Sequence, residues 1–232
     1  MDIQDHIIKD PHISPQKQLE HLDAIFKSES LTKENFESID VVHVNDLCTL
    51  VPKPFFKKDQ LAIYLKHNLK VLDNDFITYD EIESKNCISV YIPFVNINNY
   101  LFDKFGSFEF MHISSTLINQ IENSSSTHDC YINVCDTIFQ CLIIKDGNII
   151  FFNTFHYKTK EDFLYYVLFT LEQLKIDQNE ISIKLTGNIE YEDTLHTILC
   201  AYISKVDFRK IDKTLHLPHN RHQFYTLINQ YS

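Results

Sequence analysis

The sequence predicts an α/β protein, and three observations carry that expectation. Asp146-Gly147 separates two apolar runs. It is a strong hairpin signal, because both central positions of such a two-residue turn need positive φ. After this hairpin, two amphipathic helical stretches alternate with short strand-like runs. Apolar types make up 44 % and charged types 23 % of the 232 residues, which is enough apolar surface for a substantial core.

The front elements follow in chain order. Pro15–Lys27 reads as a helix, and Val41–Val44 and Cys48–Val51 as strands. Asp59–Leu72 reads as a helix with Leu61, Leu65 and Leu69 in step. Ile88–Phe94 is a strand, Ile97–Lys104 a helix, Ser107–Met111 a strand and Ser115–Glu122 a helix. Asn123–Thr127, with three successive serines, is the best linker candidate, so the expected domains are 1–125 and 126–232.

The back elements are clearer. Tyr131–Cys135, Ile138–Lys145 and Asn148–Tyr157 read as a three-strand meander. Lys160–Leu174 is a helix with Thr159 as N-cap and Asp162 completing a capping-box-like pair. Phe163, Val167 and Leu171 recur on its apolar face, and Leu164, Tyr165, Tyr166 and Phe169 make it apolar on nearly every side. Ile181–Leu185 is a strand, Tyr191–Ser204 a helix and Lys205–Phe208 a final strand. The order β-β-β-α-β-α-β is that of a ribonuclease-H-like unit, with parallel pairing of the later strands.

Composition excludes several function classes. The three glycines, Gly106, Gly147 and Gly187, lie too far apart for a P-loop, a dinucleotide fingerprint or a Gly-x-Ser-x-Gly elbow. A net charge of −11 and only two arginines, Arg209 and Arg221, argue against nucleic-acid binding. The longest uncharged run, Asn86–Phe102, holds four asparagines and Pro93, so no membrane insertion is expected. The start lacks a basic region and an apolar core, which reads as no signal peptide. Six cysteines without a Cys-x-x-Cys, several inside apolar runs, fit reduced thiols and a cytoplasmic setting.

Several strings together resemble a known family. They are Thr49-Leu50-Val51-Pro52 with Phe55-Phe56, Tyr64-Leu65-Lys66 with Asn68, and His112 with Ser114 and Leu117. The most distinctive are Asn153-Thr154-Phe155 with Tyr157, Glu161-Asp162-Phe163, Tyr165-Tyr166 and Glu172-Gln173. They resemble an uncharacterised bacterial family with an actin-like ATPase fold. The resemblance runs from about residue 40 to the C-terminus and is strongest over 148–187. It implies two ribonuclease-H-like lobes facing each other across a cleft. In that family the first lobe opens with a hairpin or meander. Here the chain enters the Pro15 helix almost at once, so the front lobe is expected to lack its first hairpin, by truncation or by completion from another chain.

The resemblance also implies nucleotide-cleft positions. Asp136, in Cys135-Asp136-Thr137-Ile138, would stand in the second phosphate hairpin, and Thr186-Gly187-Asn188 in the adenosine loop. The hairpin has no glycine and the loop has one, whereas backbone must approach phosphate closely. ATP and Mg²⁺ are therefore not expected, and no cofactor is assigned. The alternative for these residues is structural, Asp136 as a turn residue and Gly187 as a strand terminator.

Three further groups need weighing. His216, His219 and His222 recur three apart and could share a metal, but Pro218 interrupts them and no Cys or carboxylate lies inside the segment, so a polar tail is the preferred reading. Asp73-Asn74-Asp75 opens like a calcium loop and fails at positions six and twelve. Lys53, Lys57, Lys58, Lys66 and Lys70 face only Asp59 in sequence and could form a basic strip for an acidic partner. The reading that results is a non-catalytic actin-like binding or scaffold protein, leaning away from an enzyme. A homodimer through the second apolar face of the Lys160 helix is compatible with it. The alternatives are a divergent actin-like ATPase or phosphotransferase, and metal binding through the C-terminal histidines.

Overall fold

The computed structural model describes residues 3–6, 13–29, 31, 36–121, 127–209 and 221–230. Its centre is a five-stranded mixed sheet in the order β10-β9-β6-β7-β8. The strands are β6 (His128–Val134), β7 (Ile138–Lys145), β8 (Asn148–His156), β9 (Ile181–Gly187) and β10 (Val206–Phe208). β6, β7 and β8 form the antiparallel meander, while β9 pairs parallel with both β6 and β10. Helices α5 (Lys160–Gln173) and α6 (Thr194–Cys200) make the two crossovers, so the expected β-β-β-α-β-α-β order is present. Asp146 and Gly147 have φ of 49° and 79°, as the hairpin turn requires.

Both faces of this sheet are buried, which is why β6 and β7 read as continuous apolar runs rather than alternating ones. One face carries Ile132, Phe139, Ile143, Ile181, Ile183 and Leu185 against Phe163, Val167 and Leu171 of α5 and Leu199 of α6. The α5 N-terminus has the full capping box. The Thr159 hydroxyl accepts from the Asp162 N–H, and the Asp162 carboxylate accepts from the Thr159 N–H. The other face carries Tyr131, Leu142 and Ile144 against residues from the front of the chain, Ile82, Cys87 and Ile118.

The front is built from two smaller sheets. β1 (Asp40–His43) and β5 (Glu109–His112) form a parallel pair. β2 (Cys48–Pro52), β4 (Cys87–Tyr91) and β3 (Thr78–Ile82) form an antiparallel sheet in the order β2-β4-β3, with every residue of central β4 buried. Helices α1 (Pro15–Ser28), α2 (Leu61–Lys66), α3 (Val95–Phe105) and α4 (Ile113–Asn119) surround them. Among the described residues the front has no five-stranded sheet.

Several boundaries differ from expectation. β3 was not anticipated: Thr78-Tyr79-Asp80-Glu81-Ile82 alternates weakly, and only Ile82 is buried. α2 stops at Lys66, not Leu72. Leu69 still donates back to the Leu65 carbonyl and still packs in the core, but farther on the Asp75 carboxylate takes the Leu72 N–H and sets a turn. α6 starts at Thr194, not Tyr191. Glu192 is left-handed at φ 66°, and the Asp193 carboxylate caps the helix by accepting the His196 N–H at 2.7 Å. Tyr191 and Tyr202, both inside the expected helix, lie outside α6 and are exposed. A short helical segment, Arg221–Phe224 followed by α7 (Tyr225–Gln230), closes the described chain. No described helix is long and apolar enough to cross a membrane.

Candidate functional site

Open α/β sheets bind ligands beyond the C-terminal ends of their parallel strands, and the space beyond the ends of β6 and β9 is the candidate crevice here. Asp136, Thr186, Gly187 and Asn188 meet there. The turn Cys135–Ile138 is closed by the Cys135 N–H on the Ile138 carbonyl at 2.9 Å. The Asp136 carboxylate accepts from the Asn188 amide at 2.8 Å, while the Asn188 N–H donates to the Val134 carbonyl at 2.7 Å. The Thr186 hydroxyl points inward, donating to the Asn133 side chain at 3.2 Å and lying 3.4 Å from the Ile132 carbonyl. Asn133 in turn donates to Gln140 at 2.7 Å.

Gly187 has a packing explanation. A Cβ there would lie 2.0 Å from the Val134 carbonyl oxygen, and its φ is +85°. The glycine lets β9 close onto β6 at Val134.

Three features of the crevice were not legible in the sequence. Gln223, from the last short helical segment, donates to the Asn188 side-chain oxygen at 2.8 Å. Tyr157 donates to the Cys135 carbonyl at 2.7 Å, and burial pushes its hydroxyl up to about 12. His156, at the end of β8, lies 2.9 Å from Asp46 in the loop between β1 and β2. Each joins residues 22 to 110 positions apart, a range that local pattern cannot reach.

These residues differ from a glycine-bearing phosphate hairpin: the turn lacks glycine, and the Asp136 carboxylate is bonded by the Asn188 amide. On the front side, Asn45 folds inward, donating to the Ile92 carbonyl at 3.0 Å and accepting the Leu47 N–H at 2.8 Å.

The other candidates fare differently. Lys53 forms ion pairs with Glu83 at 2.5 Å and Glu81 at 3.1 Å, so it leaves the expected basic strip, because β3 brings carboxylates that the sequence neighbourhood did not show. Lys57, Lys58, Lys66 and Lys70 are exposed. His216 and His219 lie outside the described residues, as does the side chain of His222. Among the described residues no three His, Cys, Asp or Glu converge as metal ligands. Asp73-Asn74-Asp75 is a turn, as expected. All six cysteines are free, with Cys87, Cys130 and Cys141 buried.

A second polar cluster lies in the front core. His112 is fully buried, with Nδ1 2.8 Å from the Ser114 hydroxyl and Nε2 3.2 Å from the Asn45 carbonyl. Ser114 lies 2.6 Å from Ser89, and Asp80 accepts the His112 N–H, the Ser115 hydroxyl and the Tyr91 hydroxyl. Burial lowers the His112 imidazole to about 4 and raises the Asp80 carboxyl. The cluster is satisfied, with His112, Ser89, Ser114 and Ser115 buried and Asp80 half-buried, so it specifies the packing of the front core.

Comparison with known proteins agrees with this architecture. A family model described as protein of unknown function (DUF3822) matches residues 3–206. The chain belongs to that family. The DUF3822 match reaches back through α1, well before residue 40, and ends at residue 206. No curated protein matches the chain. A Bacteroides thetaiotaomicron crystal structure, a protein with actin-like ATPase fold and unknown function, is similar at 20 % identity and TM-score 0.79, over 95 % of this chain and 83 % of that one. The PilM–PilN type IV pilus biogenesis complex is similar at 8 % identity and TM-score 0.60, over 87 % and 82 %. The fold is thus actin-like α/β.

Proposed function

We propose that this DUF3822 chain is a non-catalytic actin-like protein that works by binding another protein, with domains 1–125 and 126–232 and a cytoplasmic location. The observation that carries this is the Asp136–Asn188–Gln223 chain of hydrogen bonds. The polar groups best placed to receive a nucleotide bind one another and the chain's own last helical segment. The likeness to a structure of the PilM–PilN type IV pilus biogenesis complex supports the same reading, since that structure is a complex of two proteins. The exposed Lys57, Lys58, Lys66 and Lys70 offer such a partner one charged surface.

Thermal unfolding with ATP and Mg²⁺ tests the reading. A ligand at a hundred times its Kd adds about 2.7 kcal/mol of stability by mass action. The expected result is no shift at millimolar ATP. A clear shift that Asp136→Ala abolishes would establish a divergent nucleotide site instead.

A further inference from the structure

Among the described residues the β1–β5 pair has an edge with no neighbouring strand. In this parallel pair the Glu109 N–H donates to the Ile39 carbonyl, and Asp40 stands opposite Glu109. Ile39, Val41 and His43 therefore turn their backbone groups toward β5, and Asp40 and Val42 turn theirs the other way. Among the described residues nothing bonds the N–H or C=O of Asp40 or Val42. The outer edge of β5, by contrast, is occupied, because the His112 N–H goes to Asp80. Parallel strands are rarely left as a bare pair, since they normally sit inside larger covered sheets.

A cavity of about 430 Å³ runs along the open edge. Its walls are Phe26, Phe36, Leu101 and Phe105 together with the consecutive residues 38–42. Successive strand residues point to opposite faces, so only a groove along the edge itself is lined by an unbroken run. Phe36 is 43 % exposed, an apolar side chain waiting for cover. The groove is acidic at one end. Asp40 and Glu109 are register partners with like charge, Glu37 is nearby in sequence, and none has a cation partner among the described residues.

We propose that the β1 edge receives an extended strand from a partner protein, with alternating apolar side chains for the groove and a Lys or Arg beside Asp40 and Glu109. Backbone hydrogen bonds to Asp40 and Val42 supply the affinity, and the groove and the carboxylates supply the selectivity. A second copy of this chain is the poorer occupant, because it brings another net charge of −11 to an already acidic edge. The proposal rests on the binding-protein reading above and names the partner's chemistry.

The probe is a labelled synthetic peptide of alternating Val and Thr with a Lys at each end, followed by fluorescence anisotropy. Saturable binding is expected, weakening with salt. Val42→Pro removes only an outward N–H, so the fold should hold while binding falls by about tenfold or more. The pair Asp40→Lys with Glu109→Lys should reverse preference toward a Glu-ended peptide, a readout that survives if Val42→Pro fails to fold. Equal binding by Val42→Pro, no charge reversal, or no saturable binding of the Lys-ended peptide would overturn the site. A dimer in analytical ultracentrifugation that Val42→Pro dissolves would overturn it in favour of a second copy. An ATP-dependent melting shift in the same preparation would remove the binding-protein reading instead, so the two failures are distinguishable.

Discussion

At the residue scale, His112 links the front core to pH. Its folded value is about 4, below the ordinary histidine value near 6.5, because burial opposes the charged imidazole. Below about pH 6.5 the unfolded chain takes up a proton that the folded chain refuses, so stability falls as pH drops from about 6.5 to 4, by at most about 1.4 kcal/mol per pH unit. His43, also lowered by burial, adds in the same direction. Asp80 acts oppositely: its raised carboxyl contributes fully below the unfolded value of 3.8 and loses that contribution as pH rises through its folded value. Urea melts between pH 4 and 7 should show the fall, and His112→Gln should flatten it. Gly187→Ala is the second residue-scale test. The left-handed backbone alone costs an alanine roughly 1–2 kcal/mol, and the Val134 oxygen lies where its Cβ must go, so the measured loss should exceed that range.

At the element scale, α5 shows what periodicity can and cannot reveal. Phe163 is fully buried, with its ring centroid 4.8 Å from that of Phe139, so Phe163→Ala should cost about 3–5 kcal/mol in denaturant titration. Thr159→Ala removes half of the capping box and should cost about 1 kcal/mol. Tyr165 and Phe169 stack on each other in solvent, with centroids 5.6 Å apart, and truncating either should change stability by less than about 0.5 kcal/mol. Sedimentation of those variants checks whether the pair is a self-association surface. The α5 core face, its cap and the Asp146-Gly147 hairpin were all legible, because each is set within a few residues. The stop of α2 at Lys66 was not, nor was the start of α6, where a single aspartate, Asp193, caps the helix through its side chain. β3 was missed because its strand character comes from pairing with β4 rather than from its own weak alternation.

At the scale of the whole molecule, the front and back parts meet through Ile82, Cys87 and Ile118 on one side and Tyr131, Leu142 and Ile144 on the other. The family resemblance gave the architecture, and the structure brings its four cleft candidates to one edge of the sheet. The resemblance did not give the partners that occupy them, because Gln223 arrives from the far end of the chain. Thiol titration reports on the assembled state: Cys200, the exposed thiol, should react first in native buffer, and all six should react once unfolded. The segment 221–230 touches both parts. Gln120 of the front donates to the Thr226 carbonyl at 2.9 Å, the Arg209 guanidinium lies 4.0 Å from the Tyr225 ring centroid and also donates to the Gln120 carbonyl, and Gln223 reaches Asn188. During synthesis this segment follows every residue it joins, so both parts can fold before the clasp between them exists. A chain that stops short of Gln223 keeps the Asp136–Asn188 bond but loses the donor to the Asn188 side-chain oxygen, which water would then have to satisfy.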